Sequence, residues 1–201
     1  MNRSRIVVFF TVFLIVLSVA ASSFAEEGNG GYYMLIKPGA FIPVGDLDDK
    51  GFDNAFSGEL TMGRYYSPNL ALESAIGYYK TEASKDGEGV HENDDLWVVP
   101  VTITFKGVLP LKGAELNAGV GVGIYFANLE IEGTNANGSF SHDDNAVALG
   151  GHVVAGVNFN ISKKVFLGAE GKYIFTTKAE LFEGKTKLDG AMVTGVLGYR
   201  F

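Results

Sequence analysis

The sequence predicts an all-β protein, an eight-stranded antiparallel up-and-down transmembrane β-barrel. Three observations carry this prediction. Apolar residues alternate with small or polar ones, with period 2, in eight separate segments that are long for a soluble sheet. Tyr, Trp and Phe gather toward the ends of these segments. The connections between them are alternately long and short.

The 201-residue chain opens with "MNRSRIVVFFTVFLIVLSVAASSFAEE". Arg3 and Arg5 precede an apolar run from Ile6 to Ala21, which is short of the roughly 20 residues of a spanning helix. Ser23 and Ala25 put small residues where a signal peptidase reads them. Residues 1–25 are therefore expected to be a signal peptide cleaved after Ala25, and residues 26–201 the barrel domain. With no cysteine in the chain, an exported protein would have to hold together without disulfides. The formal net charge is −7, and losing the two arginines of the signal takes it to −9. A chain this acidic is not expected to bind nucleic acid.

The predicted strands run over about 31–44, 57–67, 69–81, 96–106, 114–128, 146–160, 165–177 and 188–201. The first places Lys37 on the inner face and carries Pro38, where a bulge or kink is expected because proline lacks the ladder donor. The second turns Leu60, Met62 and Tyr66 outward and Glu59, Thr61 and Tyr65 inward. The third turns Leu72, Ile76 and Tyr78 outward, with Glu73, Ala75 and Tyr79 inward. The fourth has Trp97, Val99, Val101, Ile103 and Phe105 outside and Thr102, Thr104 and Lys106 inside; Pro100 is a second expected irregularity.

The fifth strand contains "NAGVGVGIYF". A dinucleotide-binding loop needs a third glycine where Ile124 stands, and no helical pattern follows. With period 2, Gly119, Gly121 and Gly123 share the inner face, and Val120, Val122 and Ile124 the outer one. The sixth strand sets Leu149, Val153, Val157 and Phe159 against His152, Gly156 and Asn158. The seventh sets Leu167, Ala169, Tyr173 and Phe175 against Gly168, Glu170 and Lys172. The eighth sets Val193, Leu197, Tyr199 and Phe201 against Thr194, Gly198 and Arg200.

A soluble sandwich or a lipocalin-like barrel would show the same alternation, with its apolar face inward. Strand length, aromatic placement and loop alternation favour the membrane. Hydrocarbon also requires the sheet to close, because an open strand edge there leaves backbone groups unsatisfied.

The signal segment, the strand count, the run "VVPVTITFKGVLPLKGAELNAGVGVGIYF" and the closing "DGAMVTGVLGYRF" together resemble the small outer-membrane β-barrel proteins of Gram-negative bacteria. These are the OmpA, OmpX and opacity-type barrels and their OmpW relatives. The resemblance implies a bacterial outer-membrane location, with both termini in the periplasm. It implies Tyr199 and Phe201 as the signal read by the barrel-assembly machinery, with periplasmic chaperones as partners during biogenesis. Outer-membrane lipid and lipopolysaccharide would surround the finished barrel, which is expected to be a monomer. The expected role is structural or surface-interactive and non-catalytic. The alternative, suggested by the OmpW relatives, is a narrow channel or carrier for small solutes, hydrophobic ones included.

Seven charged residues are expected in the lumen: Lys37, Glu59, Glu73, Lys106, Glu170, Lys172 and Arg200. Buried charges must pair, so a plug of salt bridges is expected; a gated path for ions or solutes is the other reading. Tyr65, Tyr79, Tyr125, Leu35 and Met192 would leave room for a small apolar pocket. No cofactor, metal site or catalytic set is expected. The histidines His91 and His142 fall in predicted loops, and Ser139 or Ser141 with His142 and Asp143 are too close in sequence to hold a triad. The acidic stretches "GDLDDKGFDN" and "TEASKDGEGVHENDD" read as solvated outer loops, or as divalent-cation ligands without EF-hand spacing.

Overall fold

In the computed structural model, residues 31–201 are described apart from 88–89, 136–137 and 182–183. The expected signal segment, with Ala25, lies outside the described residues. Eight long strands close into a barrel: β1 (Tyr32–Pro43), β2 (Ala55–Ser67), β3 (Leu70–Gly87), β4 (Val90–Leu111), β5 (Ala114–Asn135), β6 (Gly138–Asn160), β7 (Val165–Thr176) and β10 (Gly190–Arg200). Each pairs antiparallel with its neighbours in the ring, and β10 closes on β1. A helical turn, α1 (Asp46–Asp49), follows β1, and a small hairpin, β8 (Ala179–Leu181) with β9 (Gly184–Thr186), precedes β10.

The alternation in the sequence sets the two faces of the wall. Phe56 is 71% exposed and Val122 67%, whereas inward-facing Tyr79 and Tyr125 are wholly buried. An outward apolar surface this extensive suits lipid rather than water.

Some aromatics near strand ends belong inside rather than in a girdle. Tyr33 and Phe166 are buried, because Gly63 and Gly198 opposite them leave the space their rings occupy. A Cβ on Gly198 would lie 2.1 Å from the Phe166 ring.

Strand boundaries differ from expectation at both ends of the barrel: at the short-turn end β4 runs past Lys106 to Leu111, and at the other end the difference is larger. The segments expected as loops at 82–95 and 129–145 continue the ladder instead, with pairs such as Ala83–Asp94 and Ile131–His142. Two long hairpins, β3–β4 and β5–β6, therefore project from this end. The opposite end carries the tight turns at Pro68–Asn69, Lys112–Gly113 and 161–164. Gly113 takes a positive φ of 84°, which the short β4–β5 turn requires. Asn69 Nδ2 reaches across to the Val108 carbonyl at 3.0 Å.

The two prolines produce no bulge. At Pro38 the β1–β10 ladder is interrupted between Ile36–Leu197 and Gly39–Thr194, yet it resumes in the same register. At Pro100 the β3–β4 ladder does the same between Ile76–Val101 and Tyr79–Val98. At Pro100 a glycine makes room: a Cβ on Gly77 would come within 2.9 Å of the Pro100 ring. The register shift in the β2–β3 ladder falls instead between Tyr65 and Ser67.

Candidate functional site

The lumen is the candidate site, and it is built in three layers. At the short-turn end Tyr33, Leu35, Ala71, Val108, Phe166 and Val196 form an apolar floor. At the hairpin end Phe41, Tyr79, Val98, Tyr125, Ile174 and Met192 form an apolar roof. Phe41 and Tyr79 stack there with centroids 4.0 Å apart. The residues expected to line an apolar pocket, Leu35, Tyr79, Tyr125 and Met192, are buried within these two clusters.

Between floor and roof lie six charged side chains on five strands, all buried. Lys37 Nζ on β1 reaches Glu59 at 3.2 Å, Glu73 at 3.3 Å and Glu170 at 2.9 Å. Lys106 Nζ on β4 reaches Glu73 at 2.8 Å and also pairs with Glu170. Lys172 on β7 pairs with Glu59. The Tyr33 hydroxyl donates to Glu73 at 2.9 Å, and Thr61 to Glu59 at 3.1 Å.

Three lysines face three glutamates, so this set is neutral. Each carboxylate accepts from more than one donor, which offsets the desolvation of bringing charge into a low-dielectric interior. Period 2 put these residues on one face; the staggered register of the ring puts them at one height.

Arg200 stands apart from this layer. Its guanidinium lies over the Phe166 ring, 4.2 Å from the centroid, on the far side of the apolar floor. There it meets Glu115 at 2.6 Å and Asn160 at 2.7 Å, and the Tyr65 hydroxyl donates to Glu115 at 2.8 Å. Sequence reasoning missed Glu115. The signal was its position two residues before Asn117 and four before Gly119, on the same inner face.

A second polar contact inside the barrel joins Thr104 and His152, whose Oγ1 and Nε2 are 2.8 Å apart. His152 Nδ1 has no hydrogen-bond partner, so no acid orients this ring. Both residues are buried. Ser141, His142 and Asp143 are consecutive on β6, so His142 points to the opposite face from the other two and no triad can converge there. The side chains of Ser139 and His91 lie outside the described residues.

The loops at the hairpin end do more than solvate the surface. Leu47 on α1, Phe52 and Leu188 are buried and close the roof. Polar ties hold these loops down. Lys50 Nζ donates to Thr186 Oγ1 at 2.6 Å, and the Lys187 N–H to Asp46 at 2.9 Å. The Thr176 N–H donates to Asp189 at 2.7 Å, and the Thr81 hydroxyl to the Asp53 carbonyl. Among the described residues no three acidic, histidine or cysteine side chains gather as a metal site.

Tyr199 and Phe201 both face outward at the short-turn end, with centroids 5.4 Å apart edge to face. The Phe201 N–H donates to the Tyr32 carbonyl at 2.9 Å, across the seam where the barrel closes.

This architecture has solved counterparts. A major outer membrane protein from Thermus thermophilus superposes with a TM-score of 0.58 at 13% identity, covering 87% of this chain and all of that one. The outer membrane protein OprG from Pseudomonas aeruginosa gives 0.57 at 15% identity over 86% and 96% of the two chains. Neisserial surface protein A gives 0.54 at 16% identity over 86% and 98%. At such identities the likeness is one of fold. No curated protein matches the chain. The family described as the outer membrane protein beta-barrel domain matches residues 11–201. A closed eight-strand ring, a lipid-facing apolar exterior and this match agree: the chain belongs to the outer membrane protein β-barrel domain family.

Proposed function

We propose that this protein acts at the cell surface as a structural or surface-interacting barrel, and that it is neither an open pore nor an enzyme. The observation that carries the reading is the neutral layer of Lys37, Lys106, Lys172, Glu59, Glu73 and Glu170 across the lumen. A solute crossing it would have to separate charge pairs that have apolar residues on both sides. Breaking a buried pair costs about 3–5 kcal/mol, so the layer favours a shut state. The non-catalytic reading is supported by the hydroxyl–imidazole pair in the lumen, Thr104 with His152, which is out of reach of substrate and has no acid behind it.

In this reading residues 1–25 direct export, Ala25 precedes the cleavage point, and the short-turn end faces the periplasm. Tyr199 and Phe201 serve as the signal for barrel assembly, with periplasmic chaperones escorting the chain. The monomer then sits among phospholipid and lipopolysaccharide with its two long hairpins outward. It needs no cofactor.

Planar-bilayer recording of the refolded protein tests the shut lumen. The expected trace shows no reproducible step conductance at moderate voltage. Stable, repeatable steps would overturn the reading and favour a narrow channel or carrier for small solutes.

A further inference from the structure

Both rims of the barrel place cations over aromatic rings, but they differ in what becomes of the charge. At the hairpin end, Lys80 lies 5.9 Å from the Trp97 centroid, and its Nζ is also bound by Glu82 at 2.7 Å and Asp95 at 2.9 Å. The ladder carries this acidity around the wall: Glu82, Asp95, Glu130 and Asp143 are cross-strand neighbours in one row over β3 to β6.

The short-turn end is the reverse. Arg64 lies between two tyrosines, 5.0 Å from the Tyr32 centroid and 5.2 Å from that of Tyr66. Lys164 lies 5.6 Å from the Tyr199 centroid. Among the described residues neither cation has a carboxylate within salt-bridge distance. Arg64 Nε is also buried with no hydrogen-bond acceptor.

These groups form one belt on the outer face. Tyr32 pairs with Arg64 across β1 and β2. Phe201 donates to the Tyr32 carbonyl, and Tyr199 packs against Phe201. The belt thus crosses the closing seam with a cation near each end. The register shift at Tyr65–Ser67 lies beside Arg64, and such shifts re-aim side chains.

Arg64 Nε is closed off by this packing, so an anion would meet the terminal N–H groups of the half-buried guanidinium, whose charge has only ring faces beside it. On a lipid-facing wall, at the depth of an aromatic girdle, the anion at hand is a headgroup phosphate. We propose that Arg64 and Lys164 each hold a headgroup phosphate of anionic phospholipid in the periplasmic leaflet, with Tyr32 and Tyr66 packing the glycerol and upper acyl region beside Arg64, and Tyr199 and Phe201 that beside Lys164. This deepens the membrane-embedded reading above and rests on it, adding a leaflet and a headgroup charge. Among the described residues, the acidic opposite rim offers no such pair of cations.

Native mass spectrometry of the delipidated protein, released from micelles doped equally with phosphatidylglycerol and phosphatidylcholine, tests this. The wild type is expected to retain phosphatidylglycerol preferentially. Arg64→Gln and Lys164→Gln should each lower that retention about fivefold, the effect of one cation at an anionic surface. Arg64→Lys should restore much of it, and Lys80→Gln should leave it unchanged. Equal retention of the two lipids by the wild type overturns the proposal without using any variant. So does a loss on Lys80→Gln as large as that on Arg64→Gln. Displacement by glycerophosphate at equal concentration would assign the site to free phosphate, and so overturn the lipid. If Arg64→Gln blocks assembly in cells while lipid retention is unchanged, the belt serves the assembly machinery and the proposal fails. The heat-dependent gel shift separates the two readings. A protein that inserts without headgroup preference sinks only this inference, and one that does not insert sinks both.

Discussion

At the scale of single residues, the inner face is a record of which neighbour takes the space. A Cβ on Gly121 would meet the His152 ring and the Ile103 carbonyl, each at 2.4 Å. One on Gly119 would meet the Lys106 stem at 2.8 Å, and one on Gly150 the Tyr125 ring at 2.7 Å. The glycines of "NAGVGVGIYF" are thus the floor on which large lumen side chains from adjacent strands lie. Gly121→Ala should therefore destabilise the refolded barrel by about 1–3 kcal/mol, the range for overpacking. Gly107→Ala meets nothing nearer than 3.7 Å and should be neutral or stabilising by about 0.4–1 kcal/mol through the unfolded chain. Urea unfolding of both variants in vesicles checks the contrast. The direction each of these residues faces was legible, because period 2 fixes it. The partner above each glycine was not, since the offset between strands depends on the closed ring. The same limit hid the separation of Arg200 from the other lumen charges: both faces of the sequence pattern agree, but height along the axis comes only from register.

At the scale of elements, the strands were legible inside the membrane and illegible above it. Within lipid one face must be apolar, and alternation announces the strand. Beyond the girdle both faces meet water or the cap, so "TEASKDGEGVHENDD" has no pattern to show although its backbone keeps pairing from Glu82–Asp95 to Gly87–Val90. Of the tight turns, Pro68–Asn69 was marked by its residues, whereas the strand expected to end at 106 runs on to Leu111 before the Lys112–Gly113 turn. The β3–β4 extension should be dispensable for the barrel itself. Replacing residues 85–92 by Asn-Gly leaves Ser84 and Asn93, already paired, to flank a two-residue hairpin. The shortened protein should keep its heat-dependent gel shift and its urea midpoint, since exposed loop length contributes little to stability. A collapse of either would show that the extension braces the wall.

At the scale of the whole molecule, the lumen charges join walls that the ladder does not. β4 and β7 are not neighbours in the ring, yet Lys106 pairs with Glu170 across the interior, and Lys37 on β1 reaches both Glu73 on β3 and Glu170 on β7. Lys106→Met leaves buried carboxylates short of a cation and should destabilise the barrel by about 3–5 kcal/mol. Adding Glu170→Gln returns the layer to neutrality, with Lys37 and Lys172 facing Glu59 and Glu73. A large part of the loss should return as a coupling energy in the double-mutant cycle. Additive losses would mean that packing, and not charge balance, sets the effect. Composition and alternation made the membrane barrel readable as a whole. The cap of Leu47, Phe52 and Leu188 was not readable, because single apolar residues in acidic loops carry no period.

The seam between β1 and β10 has a further consequence. The last strand pairs with the first along nine residue pairs, and the Phe201 N–H donates to the Tyr32 carbonyl. The finished wall is therefore a cycle, with no strand that is first in space. A chain joined across residues 31 and 201 by a short linker, and opened instead at the 161–164 turn, would give every residue the neighbours it has now. Strand order along the gene is then an instruction for delivery, and the barrel keeps no trace of it once the ring has shut.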